Sequence, residues 1–106
     1  MDKGTFLEVI SHFKRAIESK GIKVNRLILF GSYATGRYRE GSDIDIVVIS
    51  KDFTGKNYWE RLDILSDAIY EVFQPIEAVA VTPEEFESET SLVAEYAKQG
   101  EVLFAA

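Results

Sequence analysis

The chain has 106 residues, 46% hydrophobic and 28% charged, which is the balance of a folded domain with one core and is too short for two domains of ordinary size. Its net charge of −6, from 12 Lys and Arg against 18 Asp and Glu, argues against a protein that grips nucleic acid by its phosphates. Cysteine is absent, which excludes disulfides, thiolate metal sites and a thiol nucleophile, so any bound metal must be held by oxygen.

Taken in chain order, "TFLE" at 5 to 8 reads as a capping box with Thr5 as the cap and Glu8 reaching back. Phe6, Val9, Ile10, Phe13 and Ile17 then recur at helical spacing, and Gly21 is placed to end this first helix. His12 falls on its polar side, with no second histidine anywhere, and reads as a surface residue. "RLILF" at 26 to 30, bounded by Asn25 and Gly31, is a short buried strand; "SYATG" has room for one or two helical turns. "IDIVVI" at 44 to 49 is a second strand and "SKDFTGKN" a loop. Leu62, Leu65, Ile69 and Val72 predict a helix from about Tyr58 to Phe73, after which Pro75 opens a third strand, "IEAVAV". Thr82, Pro83 and Glu85 carry the cap, first-position proline and box partner of a short helix. A further helix is expected over 91–99, with Leu92, Val93 and Tyr96 inward and a stop at Gly100, leaving "EVLF" as a terminal strand. Tyr58, Trp59 and Phe73 read as core or interface, and the glutamates of the last quarter as a solvated face.

Only the first two strands follow each other without a long crossover helix, so the sheet is expected to be mixed, in an α+β fold with helices packed mainly on one face. No stretch is long and apolar enough to cross a bilayer, and a cytosolic location is expected. With no repeat, low-complexity segment or linker in view, residues 1–106 read as a single domain.

The stretch that carries chemistry runs from the first strand to the second. Asp43 and Asp45, two apart at the mouth of a strand, point both carboxylates to one side. Like charges side by side raise each other's cost of ionising unless a cation lies between them. Gly31 and Ser32 come just as the first strand ends. Glycine allows close approach of the backbone to a bulky group, free N–H groups at a helix start favour phosphate, and a serine hydroxyl can donate to a phosphate oxygen. In "IEAVAV" the alternation puts Glu77, Val79 and Val81 on one face, so one acid stands at the start of an otherwise apolar stripe.

Gly31-Ser32, ten residues, then Asp43-x-Asp45 resembles the signature of the DNA polymerase beta-like nucleotidyltransferase superfamily, and specifically of its minimal nucleotidyltransferases, the MNT proteins. The "PIEAVAVTPEEF" segment and the "GEVLF" ending extend the similarity over nearly the whole chain. The resemblance implies a nucleotidyltransferase-like mixed sheet and Mg²⁺-dependent transfer of a nucleoside monophosphate from a triphosphate to a hydroxyl. It makes Asp43, Asp45 and Glu77 the catalytic and metal-binding carboxylates, with two ions expected. Glu77 stands where the family usually has aspartate. Gly31 and Ser32 would seat the phosphates, and Arg37 and Arg39 would add positive charge.

Small MNT proteins are commonly paired with a helical HEPN-domain toxin, act as its antitoxin and attach AMP to one of its tyrosines. The resemblance therefore implies ATP as donor and a HEPN toxin as partner. Two alternatives stand beside it. One is a binding module that neutralises a partner by contact alone. The other is a small-molecule nucleotidyltransferase, although enzymes of that kind carry a further C-terminal domain.

Overall fold

In the computed structural model, which describes residues 1–88, 95, 97 and 100–106, the order is α1 (Lys3–Glu18), β1 (Arg26–Phe30), α2 (Gly31–Thr35), β2 (Ile44–Ile49), α3 (Tyr58–Val72), β3 (Ile76–Val81), α4 (Pro83–Glu87) and β4 (Glu101–Ala105). The four strands form one sheet in the order β3-β2-β1-β4. β1 runs antiparallel to β2 and β4, while β2 and β3 run parallel, as α3 must cross over between them. The mixed α+β sheet is therefore as the sequence predicts.

Side-chain alternation divides the sheet into two faces. Leu27 and Leu29 of β1, Ile44, Ile46 and Val48 of β2 and Ile76 of β3 pack against α1 and α3, where Val9, Phe13, Ile17, Leu65 and Ala68 are buried. Each fully buried side chain of this size contributes about 1.5–3 kcal/mol relative to exposure. The opposite face holds a smaller cluster of Ile28, Val47, Ile49, Val81 and Ala97. Asp45 alternates with Ile44 and Ile46, so it lies on this second face, away from α1 and α3.

Several local expectations are corrected. α1 begins a turn earlier than the Thr5 box predicts: Asp2 is its cap, and its Oδ1 accepts from Thr5 N at 2.8 Å. Aspartate is the stronger cap and its charge suits the helix start, so the longer helix wins. The "SKDFTGKN" loop contains a 3-10 turn over Lys51–Phe53 that carries Phe53 into the core. Ser50 fixes that turn, donating to Lys23 O at 2.6 Å and accepting from Asp52 N at 3.0 Å. His12 is only half-buried, as expected of a surface residue, but its Nε2 lies 3.3 Å from Glu71 Oε2 and ties α1 to α3. Tyr58, Trp59 and Phe73 are exposed, so none is core of this chain. The helix predicted over 91–99, with Leu92, Val93 and Tyr96, lies outside the described residues apart from Glu95 and Ala97, both helical. The capped α4 and the terminal strand match the reading.

Candidate active site

β1 delivers the chain to Gly31, which opens the single-turn helix α2 with φ +70°, a backbone region that L side chains rarely adopt. Gly36, at φ +76°, closes α2, its N–H returning to Ser32 O, and the chain loops back into β2. The antiparallel register sets Phe30 opposite Asp45, and the parallel register sets Asp45 opposite Glu77. The three neighbouring strands therefore present Gly31, Asp45 and Glu77 in a row at one end of the sheet, with Asp43 two residues before Asp45.

The row is tightly made. A Cβ on residue 31 would collide with Asp45 Oδ2 and stand 3.0 Å from its Cγ, so the space a side chain would need is taken by the aspartate. Glycine is required twice over, by its backbone angle and by this contact. The sequence pattern of Gly31 with Asp45 is thus partly internal: the glycine that would let a phosphate approach is also the one that seats the carboxylate.

Burial pushes the Asp45 carboxyl up to about 6, helped by a hydrogen bond with Glu77 and by the charges of Glu77 and Asp43. Asp43 and Glu77 are exposed, whereas Asp45 is half-buried between them. Such a cluster gains from a cation. Mg²⁺ is bound by one or two carboxylates and completes its octahedron with water and substrate phosphate, so Asp43 and Asp45 fit it by donor chemistry. Among the described residues no three acids or histidines form a ready-made metal cage, which an ion sharing its ligands with a triphosphate does not require.

Ser32 is half-buried in α2, one residue from the Asp45 contact. Arg37 and Arg39 lie exposed in the loop that follows, where Arg39 N donates to Ser42 Oγ at 2.8 Å. Neither guanidinium has a partner among the described residues, which leaves both free to meet an anion.

Sequence reasoning missed Arg61. Its Nη1 lies 2.6 Å from Glu85 Oε1 and 3.3 Å from Ala80 O, while Nε donates to Lys56 O at 2.9 Å. It straps α3 and α4 to β3 beside a cavity of about 420 Å³. No local pattern relates two residues 24 positions apart.

Against this geometry, the sequence profile of the nucleotidyltransferase domain family matches residues 10–100, and the chain belongs to that family. It is 45% identical over 47 residues to a protein of Methanocaldococcus jannaschii provisionally named a protein adenylyltransferase, a match covering 43% of this chain and 48% of that one. The match thus spans about half the length of that curated relative. Among solved structures, a toxin-antitoxin complex with AMP-PNP superposes with a TM-score of 0.66 at 21% identity, over 94% of this chain and 73% of that one. The complex of a tri-AMPylated Shewanella oneidensis HEPN toxin with its MNT antitoxin gives a TM-score of 0.55 at 21% identity, over 92% and 73%. At these identities the likeness is one of fold.

Proposed function

We propose that this chain is a Mg²⁺-dependent adenylyltransferase that moves AMP from ATP to a protein hydroxyl, a tyrosine of a HEPN-domain toxin, and so serves as that toxin's antitoxin in the cytosol. The observation that carries the reading is the half-buried Asp45, seated against Gly31 and crowded by Glu77 and Asp43. A half-buried carboxyl whose proton affinity is raised within a group of acids marks a candidate functional site. The family membership, the provisional name of the archaeal relative and the AMPylated toxin beside a structurally similar antitoxin support the same choice.

In this account Asp43 and Asp45 hold the metal, and Glu77 faces the acceptor. When bound, Mg²⁺ neutralises charge on the triphosphate and favours loss of the acceptor proton. Ser32 donates its hydroxyl to the β and γ phosphates at the opened start of α2, with Arg37 and Arg39 adding positive charge from the loop. Glu77 accepts the proton of the acceptor hydroxyl. That oxygen forms a bond to the α-phosphorus, the bond from this phosphorus to its bridging oxygen breaks, and pyrophosphate leaves with the electron pair. The chain acts as a single catalytic module and receives the nucleophile from outside.

The test is incubation with α-labelled ATP, Mg²⁺ and a candidate HEPN-domain toxin. Label on a tyrosine of that protein, lost with Asp43→Asn and Asp45→Asn together, is the expected result. Neutralisation of the toxin without any label would assign the chain to binding by contact alone.

A further inference from the structure

Among the described residues β3 is the edge of the sheet, paired only with β2. Pro75 O and Val81 O accept from Ile44 N and Ser50 N of the neighbouring strand and its extension, so the carbonyls of alternate residues turn inward and those of Ile76, Ala78 and Ala80 turn outward. Ala80 O is covered by Arg61. Among the described residues, the Ala78 N–H and C=O and the Ile76 C=O remain as an open ladder, one residue to either side of Glu77. An open edge of this kind is a template for another strand, and natural proteins usually blunt it. Here, among the described residues, only its far end is blunted, by Arg61.

Beside this ladder, on the face turned toward α3, lies the cavity of about 420 Å³, with Leu62, Leu65, Ala78 and Ala80 in its apolar lining and Lys56 and the paired Arg61 and Glu85 among its polar residues. Tyr58 and Trp59, at the start of the same helix, are 67% and 69% exposed. Lys56, unlike Arg61, has no carboxylate partner among the described residues.

We propose that the segment bearing the acceptor hydroxyl docks as an added strand on the open edge of β3, with an apolar side chain in the cavity and an acidic residue toward Lys56. Strand alternation ties the two requirements together. A residue on the Glu77 face of the added strand stands beside that carboxylate, and its immediate neighbours point to the other face, where the cavity is. The occupant is thus an extended protein segment in which a hydroxyl-bearing residue adjoins a large apolar one, recognised by main-chain hydrogen bonds for affinity and by the cavity for specificity. Charge complementarity and continuity of the edge with Glu77 select such a segment over a second copy of this acidic chain. The inference rests on the transferase reading for what happens at Glu77, but the docking itself does not require transfer.

The test uses a displayed library of unstructured heptapeptides with a fixed central tyrosine, selected on the protein loaded with Mg-ATP. The recovered peptides should carry a large apolar residue next to the tyrosine and an acidic residue toward one end. Ala78→Pro removes the outward N–H without touching the β2 ladder, and proline is tolerated at such an edge position. It should weaken the recovered peptides at least tenfold while Mg-ATP binding stays unchanged. Leu62→Trp, which fills the cavity from α3, should abolish the apolar preference and guards against a folding defect in the proline variant. Failure to enrich any peptide, or recovered peptides that both variants hold as tightly as the wild type does, would overturn the proposal. A concentration-dependent dimer dissolved by Ala78→Pro would assign the edge to a second copy instead. Peptides that dock on β3 and take up no AMP would count against the transferase reading alone.

Discussion

Gly31 and Asp45 share one space: the Asp45 carboxylate rests against the Gly31 Cα, where a Cβ would overlap Oδ2 and stand 3.0 Å from Cγ. Gly31→Ala is therefore expected to cost about 1–2 kcal/mol for the left-handed backbone alone, and more for displacing the aspartate. In an Asp45→Ala background the cost should fall back toward the backbone value. Urea unfolding of the two single variants and the double variant measures this coupling. Strict additivity would mean that the two residues do not share the space.

Asp45 also makes stability depend on pH. Its carboxyl stands near 6 in the folded protein against 3.8 ordinarily, so the folded state holds this proton more tightly. The contribution is whole below the unfolded value and is lost as pH rises through the folded one. Metal-free protein should lose more stability between pH 4.5 and 7.5 than its Asp45→Asn variant does. Equal losses, read from urea midpoints, would remove the electrostatic account of the cluster.

The Arg61–Glu85 strap behaves in the opposite sense. Burial works to raise the Glu85 carboxyl, but hydrogen bonds from Arg61 and from Thr82 outweigh it and hold it below its ordinary 4.5. The stability it contributes is present above 4.5 and is lost as pH falls through its depressed folded value. Arg61→Ala, which removes three hydrogen bonds of a largely buried side chain, should cost about 1–3 kcal/mol. Calorimetry at neutral pH checks it. An unshifted melting temperature would show that solvent replaces the strap.

Asp43, Asp45, Gly31 and Ser32 can be nominated as candidates from the sequence because each is fixed by local spacing: a strand end, a glycine, a two-residue alternation. The same alternation placed Glu77 on the carboxylate face. The collision that makes Gly31 obligatory was not legible, since it depends on the antiparallel register that puts Phe30 opposite Asp45. Phe53 was hidden for a related reason: one buried aromatic in a polar stretch has no periodicity to betray it. Asp2 and Thr5 are both caps by residue type, and only the extra turn of helix decides between them.

Glu77 tests the division of labour. Glu77→Gln should leave binding of Mg-ATP close to wild type and slow single-turnover transfer by roughly a hundredfold or more, as for loss of a general base. It should also bring the Asp45 carboxyl down from about 6, because both the hydrogen bond and the charge of Glu77 help to raise it. The pH at which Mg²⁺ binding sets in should then move lower. Full transfer activity in this variant would return Glu77 to the status of a surface acid.

If Asp43 and Asp45 build a site for a metal-bound nucleoside triphosphate, calorimetric titration with an α,β-methylene analogue of ATP, which binds and cannot transfer, measures it directly. With Mg²⁺ present the wild-type protein should bind the analogue, and removal of the ion by a chelator should weaken binding by at least tenfold. Asp43→Asn with Asp45→Asn should bind equally weakly with and without Mg²⁺. Metal-dependent binding that survives the double substitution would contradict the account and place the nucleotide elsewhere on the fold.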